Sequence, residues 1–245
     1  MTDGTDTAVV LDNVSKTFGE KQILRNITFS VARGETICVL GRSGTGKSVT
    51  LKLIIALTKP EAGHIWIDGD DITQLEGQAL SRVRRKMGFL FQNAALFDFL
   101  TLYDNLALPL RRLTHKSKQE IEEIIYRVLH QVGLSGDREK LPLELSGGMK
   151  KRAGLARALV LEPQILLVDE PSSGLDRITA SEIDELLLEQ KRHTTMIIVS
   201  HDVHGARRIA DRFAVLDHGR LAALGKPQDL EHHDNETVRR LVMEE

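Results

Sequence analysis

The sequence predicts an α/β fold with an antiparallel β region near the start and a helical insertion in the middle. Three observations lead to this prediction. Strand-like segments separated by turns open the chain, apolar runs typical of buried parallel strands lie on both sides of the middle, and the middle itself has helical periodicity. Because no internal repeat, low-complexity segment or flexible linker interrupts the sequence, we expect one domain over residues 1–245.

The opening strands are predicted at residues 8–11, 23–31 and 64–68. Apolar and polar residues partly alternate in the second segment, and turn signals such as Phe18-Gly19 and Arg33-Gly34 separate the segments. Short strands joined by turns pair with their neighbours in opposite directions. We therefore expect an antiparallel sheet in this part of the chain.

The core strands are predicted from short apolar runs at residues 36–40, 165–168 and 196–199. A Gly-rich loop and a helix at 48–56 follow the first run, and a helix at 179–190 separates the other two. Strands of this kind, alternating with helices, are typical of a parallel sheet buried on both faces.

The helical insertion is predicted from residues 116–132, where apolar side chains recur at helical spacing among charged ones. These apolar residues are Ile121, Ile124, Ile125, Val128 and Leu129. A second helical stretch follows Ser146. We place the helical subdomain at about residues 93–158, between core segments at about 1–92 and 159–245.

Composition excludes some classes of protein. Lysines and arginines total 33 against 35 acidic residues, so the net charge of -2 gives no global attraction to nucleic acid or anionic lipid. The single cysteine, Cys38, lies in an apolar run, which excludes an intrachain disulfide and favours a small core residue. Residues 1–7 lack the features of a secretion signal, and no apolar run approaches the roughly 18 residues of a membrane span. We expect a protein that is soluble by itself and cytoplasmic.

A phosphate-binding loop is predicted at residues 41–48, which match the P-loop pattern G-x-x-x-x-G-K-[ST] at every fixed position. Its residues are Gly41, Arg42, Ser43, Gly44, Thr45, Gly46, Lys47 and Ser48. The glycines permit a tight loop whose N–H groups point at phosphate oxygens, Lys47 would reach the β- and γ-phosphates, and Ser48 would ligate Mg²⁺. A coincidental Gly-rich turn is the alternative, but a chance match has odds of about one in a hundred.

A pair of adjacent carboxylates, Asp169 and Glu170, ends the apolar run at 165–168. Successive strand side chains point to opposite sides, so Asp169 can face Mg²⁺ while Glu170 turns toward an attacking water. Glu170 is then the candidate general base. A solvated acidic pair at a strand end is the alternative, and the P-loop upstream favours the catalytic interpretation.

Residues 145–149, Leu-Ser-Gly-Gly-Met, resemble the LSGGQ signature of ABC ATPases, with Met149 in place of glutamine. Ser146 can cap a helix, and Gly147 and Gly148 leave backbone N–H groups open to a phosphate. The position shortly before the strand at 165–168 is also the ABC arrangement. The resemblance implies a P-loop NTPase (RecA-like) core with an N-terminal antiparallel β subdomain and an inserted α-helical subdomain.

The resemblance covers nearly the whole chain and assigns further roles. Phe18 matches the aromatic position that stacks on adenine, Gln92 matches the Q-loop glutamine that contacts Mg²⁺ and water, and His201 matches the switch histidine that contacts the γ-phosphate. Asp176 matches the D-loop aspartate at the dimer interface, and Thr50 is predicted to contact nucleotide. The alternatives are a core phenylalanine, a surface glutamine and an ordinary helix start at Asp176.

The resemblance also implies that ATP and Mg²⁺ are the cofactors and that the chain works as a homodimer. In ABC ATPases the signature of one subunit closes over nucleotide held by the other, so Ser146, Gly147, Gly148 and Met149 would serve the partner's ATP. The predicted catalytic side chains are Lys47, Gln92, Glu170 and His201. The predicted metal ligands are Ser48, Gln92 and Asp169.

Residues 89–101 and 104–110 look like the Q-loop region of ATPases that accompany MCE-type lipid transporters, the Mla phospholipid-trafficking class of double-membraned bacteria. This resemblance implies an integral membrane permease, an MCE-domain lipid-binding protein, a small soluble regulatory subunit, and a place on the cytoplasmic side of the inner membrane. The sequence departs from the pattern at Phe99, Arg177 and Ser200, which weakens the subfamily assignment.

Two other functions remain open. The chain could energise an importer or exporter of another solute, or act as a soluble ABC ATPase in DNA repair or translation, although it has neither a second cassette nor a coiled-coil insertion. The basic run at residues 150–152 could bind nucleic acid, but three charges on a helix are usually solvated. We therefore expect no nucleic-acid partner.

Overall fold

The computed structural model describes residues 6–243, which form two β-sheets surrounded by helices. The strands are β1 (Thr7–Phe18), β2 (Lys21–Ala32), β3 (Thr36–Leu40), β4 (Ala62–Ile67), β5 (Asp70–Asp71), β6 (Met87–Leu90), β7 (Ile165–Asp169), β8 (Thr195–Val199), β9 (Arg212–Asp217) and β10 (Arg220–Gly225). The helices are α1 (Lys47–Ile54), α2 (Gly77–Arg84), α3 (Leu102–Leu113), α4 (Lys118–Gln131), α5 (Gly147–Leu159), α6 (Arg177–Lys191), α7 (Val203–Ile209), α8 (Pro227–Leu230) and α9 (Glu236–Met243).

The smaller sheet has the order β2-β1-β4-β5 and is antiparallel, as predicted. Its strands are longer than the sequence suggested, because β1 continues through an irregularity between Leu11 and Val14. Asn13 adopts a positive φ of 52° there. A polar pair at such a bulge resembles a turn in the sequence, although the strand continues beyond it.

The larger sheet has the order β10-β9-β3-β8-β7-β6, with β10 antiparallel at one edge and the other strands parallel. The predicted bounds of β3 are confirmed, and β7 and β8 are each one residue longer than predicted. Because β3, β8 and β7 are neighbours and parallel, the residues that follow them meet at one edge of the sheet. The P-loop, Glu170 and Ser200-His201 therefore lie at the same edge.

Three helices, α3 to α5, lie between β6 and β7 in the chain and share a hydrophobic core. The capping box of Ser117 and Glu120 begins α4 within the predicted segment 116–132. Ser146 caps α5 as predicted, since its side chain accepts a hydrogen bond from the N–H of Met149. The α/β fold with an inserted helical part is confirmed. The boundaries near residues 93 and 158 stay a prediction, and residues 1–5 and 244–245 of the predicted domain lie outside the described residues.

Cys38 is fully buried in β3, as expected for a core residue, and burial raises the pKa of its thiol. Between residues 6 and 243, no helix combines the length and apolar character that crossing a membrane requires. The prediction that residues 1–7 lack a secretion signal falls mainly on residues 1–5, which lie outside the described part of the chain.

Candidate functional site

A cavity of about 500 Å³ lies at the carboxyl edge of the larger sheet, beside the β1–β2 hairpin. Nine of the residues predicted for a nucleotide site lie in its wall. The lining residues are Phe18, Lys21, Ile23, Ser43, Gly44, Gly46, Lys47, Ser48, Val49, Gln92, Glu170 and His201. The structure thus brings the adenine-stacking candidate, the P-loop and three predicted catalytic groups to one place.

At two positions of the P-loop, both a positive φ and a close neighbour require glycine. Gly41 and Gly46 have φ of 155° and 101°. A Cβ on Gly41 would lie 2.5 Å from the carbonyl oxygen of Leu216, and one on Gly46 would lie 2.4 Å from Cδ2 of Leu24. Strands β2 and β9 therefore press on the loop so closely that a side chain would displace it.

Replacing Gly46 by alanine is expected to weaken ATP binding by about tenfold or more, because the new Cβ would push the loop away from β2. Titration with a fluorescent ATP analogue measures the affinity. Gly136→Ala is the control, since Gly136 has open space around its Cα and a φ outside the left-handed region. Wild-type affinity in the Gly46 variant would contradict this account of the loop.

Lys47 places its ammonium inside the P-loop. Its Nζ donates to the carbonyl oxygens of Gly41 at 2.8 Å and Arg42 at 3.3 Å, and lies 3.9 Å from Oε1 of Glu170. The side chain is buried, so water screens its charge less than at the surface. The loop interior is therefore electropositive, which suits phosphate oxygens.

Glu170 and His201 form one unit, although they follow different strands. Oε2 of Glu170 lies 2.5 Å from Nδ1 of His201 and accepts from the His201 N–H at 3.3 Å. Glu170 is largely buried, whereas the His201 side chain is 66% exposed. The pair thus joins a buried carboxylate to an imidazole at the mouth of the cavity.

Ser48 and Asp169 bring hard oxygen ligands together. The Ser48 hydroxyl donates to Oδ1 of Asp169 at 2.7 Å. Burial raises the pKa of Asp169, and the hydrogen bond from Ser48 opposes that shift. These oxygens suit Mg²⁺. Within residues 6–243, no cluster of three His, Cys, Asp or Glu side chains could hold a metal ion.

Gln92 lies in the cavity wall, and its Nε2 donates to Oγ of Ser173 at 3.5 Å. The contact joins the segment after β6 to the segment after β7. Gln92 is thus placed near Glu170 and His201, where a glutamine could contact metal-bound water.

The predicted signature and D-loop residues lie outside this cavity. Ser146 is exposed at the start of α5, and a Cβ on Gly148 would lie 2.3 Å from Cγ2 of Thr179 in α6. Asp176 is exposed and caps α6, accepting from the N–H groups of Ile178 and Thr179 at 3.0 Å. Within one chain, both Ser146 and Asp176 are helix caps at the surface.

Two predictions need correction. The Thr50 side chain is fully buried in α1 and its hydroxyl donates to the carbonyl oxygen of Gly46 at 3.1 Å, so it does not reach the cavity. The solvated interpretation of residues 150–152 is wrong for Lys151, which is 5% exposed. Its ammonium donates to the carbonyl oxygen of Glu170 at 2.6 Å.

The remaining P-loop residues lie around the cavity rather than in it. Arg42 and Thr45 line a neighbouring cavity of about 620 Å³ on the other side of the loop, and Gly41 is buried behind Lys47. Sequence reasoning missed Lys21, Ile23 and Val49. Phe18 pairs with Lys21 across the β1–β2 hairpin. The turn signal at Phe18-Gly19 was the feature of the sequence that could have placed Lys21 beside Phe18.

Comparisons with known proteins identify the family. A sequence model of the ABC transporter family matches residues 24–173. The probable ribonucleotide transport ATP-binding protein mkl of Mycobacterium leprae is 44% identical over 237 residues, covering 96% of this chain and 68% of that protein. The methionine import ATP-binding protein MetN of Cupriavidus metallidurans is 40% identical over 214 residues, covering 86% and 62%.

A solved structure is also similar. It is described as a dimeric post-hydrolysis state of the ATP-binding cassette MJ0796 bound to ADP and Pi, and it superposes with a TM-score of 0.83 at 33% identity. The match covers 89% of this chain and 98% of that one. The chain spans about two thirds of the length of the curated relatives it matches. By family match, identity and fold, it belongs to the ABC transporter family, as an ATP-binding subunit with ATPase activity.

Proposed function

We propose that two copies of this chain bind and hydrolyse ATP at two shared sites and thereby drive a membrane permease. The observation that carries the proposal is the incomplete wall of the cavity. Phosphate-binding and catalytic groups come from the P-loop, β7 and the segment after β8, whereas Ser146 and Asp176 lie at the surface elsewhere. A second copy would bring its own Ser146 and the following helix start over the open side.

Within each site, the residues would divide the work of hydrolysis. Lys47 and the P-loop N–H groups would bind the phosphates, and Glu170 would orient the attacking water and accept its proton. His201 would hold the Glu170 carboxylate in place and reach the γ-phosphate. Mg²⁺, held by Ser48, Asp169 and Gln92, would supply positive charge to the phosphates when bound.

The arrangement as a pair has two supports. Ser146 and Asp176 are exposed at the starts of α5 and α6, so their side chains are accessible to a second chain. The similar cassette MJ0796 is described as a dimer bound to ADP and Pi. In a pair with two-fold symmetry, each chain would cover the open side of its partner's cavity and have its own cavity covered in return.

An apolar groove of about 430 Å³ beside Gln92 is the proposed contact with the permease. It lies between the segment after β6 and the helices α3 and α5. Apolar side chains form most of its wall, which includes Phe89, Phe91, Phe97, Leu108, Pro109 and Leu113. A groove of this kind can receive the apolar face of a partner helix. Because the groove adjoins Gln92, a movement of Gln92 at the nucleotide would also displace residues of the groove.

The cargo proposed here is phospholipid. Its support is the resemblance of residues 89–110 to the corresponding region of ATPases that accompany MCE-type lipid transporters. An MCE-domain protein, a small regulatory subunit and a position on the cytoplasmic face of an inner membrane belong to the same proposal. Import of a small solute is the second candidate, because the similar proteins are named for ribonucleotide transport and methionine import.

Reconstitution separates the two cargo classes. The chain and the permease that co-purifies with it are placed in liposomes, and ATP-dependent transfer of a fluorescent phospholipid is measured beside uptake of radiolabelled methionine and ribonucleotides. Lipid transfer that stops in the Glu170→Gln assembly supports the proposal. ATP-dependent solute uptake without lipid transfer would replace phospholipid by that solute.

Replacing Phe97 by glutamate is expected to remove the permease from the purified assembly while ATP binding stays within about twofold, because a charge in the groove opposes burial of an apolar helix. Phe97 is 42% exposed, so the change costs little folding stability. Tyr126→Glu is the control, since Tyr126 is 65% exposed on α4 and outside the groove. Retention of the permease by the Phe97 variant would remove the groove from the proposed interface.

A further inference from the structure

Lys151 is a buried cation with a single polar contact among the described residues. It lies in the second turn of α5, is 5% exposed, and donates to the carbonyl oxygen of Glu170 at 2.6 Å. No ion pair involves its ammonium within residues 6–243. Burying an unpaired ammonium is costly, and one carbonyl bond compensates only part of that cost. Its presence at this point is therefore better explained by the site than by folding stability.

The electrostatic surroundings of Lys151 connect it to both carboxylates of the site. Burial lowers the pKa of Lys151, and the negative charges of Glu170 and Asp169 act in the opposite direction. The ammonium is thus within electrostatic reach of the predicted general base and the predicted metal ligand, although it bonds only to the backbone.

Glu170 has an unusual backbone conformation, with a φ of 49° in a residue that is not glycine. Such a conformation is disfavoured and persists only where neighbouring groups hold it. The Glu170 N–H donates to the carbonyl oxygen of Val199 at 2.8 Å. The Glu170 carbonyl oxygen accepts from Lys151 and, at a longer 3.3 Å, from the N–H of Ser173. The Lys151 bond is the shorter of the two contacts that hold this carbonyl.

The position of Lys151 in the chain links two parts of the molecule. α5 is a continuous helix that begins after Ser146, and Lys151 lies one turn beyond that helix start. A displacement of the helix start would therefore move the ammonium relative to the Glu170 carbonyl.

We propose that Lys151 is a positioning residue that holds the Glu170 backbone so that its carboxylate faces His201 and Lys47, and that ties this geometry to the helix start at Ser146. The inference rests on the proposed function, in which Ser146 closes over the nucleotide of the partner. Through Lys151, closure of one site would set the geometry of the general base in the other.

The test compares Lys151→Met with Lys151→Arg in the assembled protein. Methionine fills similar space without a donor, so kcat for ATP is expected to fall about 10- to 100-fold while KM changes less than about threefold. Arginine keeps the charge and the donors and is expected to restore at least about a third of kcat. Lys150→Met, on the same helix, is the control for the loss of a positive charge and should keep kcat within about twofold.

A double variant separates positioning from general damage. If Lys151 acts through Glu170, adding Lys151→Met to Glu170→Gln should lower the single-turnover rate by less than about twofold. A loss as large as in the wild-type background would overturn the proposal, as would a wild-type kcat in folded Lys151→Met protein. If Glu170→Gln by itself keeps full hydrolysis, the proposed function of the site is wrong. This outcome is distinguishable from a failure of the Lys151 proposal alone, in which Glu170→Gln is inactive.

Discussion

Replacing Glu170 by glutamine is expected to lower the steady-state rate of ATP hydrolysis by about 10²- to 10⁴-fold, while ATP affinity stays close to that of the wild type. Glutamine has the same shape but cannot accept the proton of the attacking water. The P-loop and Lys47, which are proposed to bind the phosphates, are unchanged. Because nucleotide binds and is not consumed, we also expect an ATP-bound dimer to accumulate.

Phosphate release measures the rate, and gel filtration with ATP and Mg²⁺ measures the dimer. Glu123→Gln is a suitable control, since Glu123 is an exposed carboxylate on α4 that accepts a hydrogen bond from Gln119. Undiminished hydrolysis by the Glu170 variant would remove this residue from its role. A dimer that forms equally well without ATP would contradict nucleotide-driven pairing.

Mixing two inactive variants is expected to restore hydrolysis if, as proposed, each shared site takes its parts from both chains. Lys47→Ala removes the ammonium that binds phosphate, a charged hydrogen bond worth about 1.5–3 kcal/mol. Ser146→Asp keeps a good helix cap but places a negative charge against the partner's phosphates, where like-charge contact costs several kcal/mol. Each variant alone should lose at least about 99% of the activity.

In an equal mixture, half of randomly formed dimers contain one chain of each kind, and each mixed dimer has one intact site. Recovery to about a quarter of the wild-type rate is expected if the two sites act independently. Recovery below this value would mean that a dimer needs two intact sites for full hydrolysis at either one. Ser146→Asn is the control, since asparagine caps the helix without charge. If mixing restores nothing and Ser146→Asp alone is fully active, the signature residues do not serve a partner.

The parts of the fold that could be predicted are those where side-chain pattern alone decides the structure. β3, β7 and β8 are wholly buried and mostly apolar, and the sequence shows this directly as short apolar runs. The P-loop between β3 and α1 could be predicted for the same reason, since its glycines have no substitute.

Other elements depended on contacts that the sequence does not display. Helix α3 contains Pro109, which usually signals a break, yet its helical core is buried by α4 and α5. Strand β6 has only four residues and contains Gly88, where a Cβ would lie 2.4 Å from the carbonyl oxygen of Ala158. Neither the burial of α3 nor the close packing at Gly88 can be inferred from the local sequence, because both depend on distant parts of the chain.

The site shows the same division. Residues that follow core strands, such as Glu170 and His201, could be placed because parallel strands end at one edge. Residues within helices were harder to place, because the phase of the helix decides whether a side chain faces the protein interior or the solvent. Thr50 lies on the buried face of α1. Lys151 shares a buried face with Gly148 and Leu155, and that spacing was a signal against a solvated charge.

The burial of Cys38 makes the natural chain a ready background for thiol chemistry. It is the only cysteine in the sequence, and its inaccessible thiol with a raised pKa would react slowly with maleimides or disulfide reagents. A cysteine introduced at exposed Ser146 or Tyr126 would then carry one label per chain without removal of the native thiol. Fluorescence between labels could follow the opening and closing of the pair in real time.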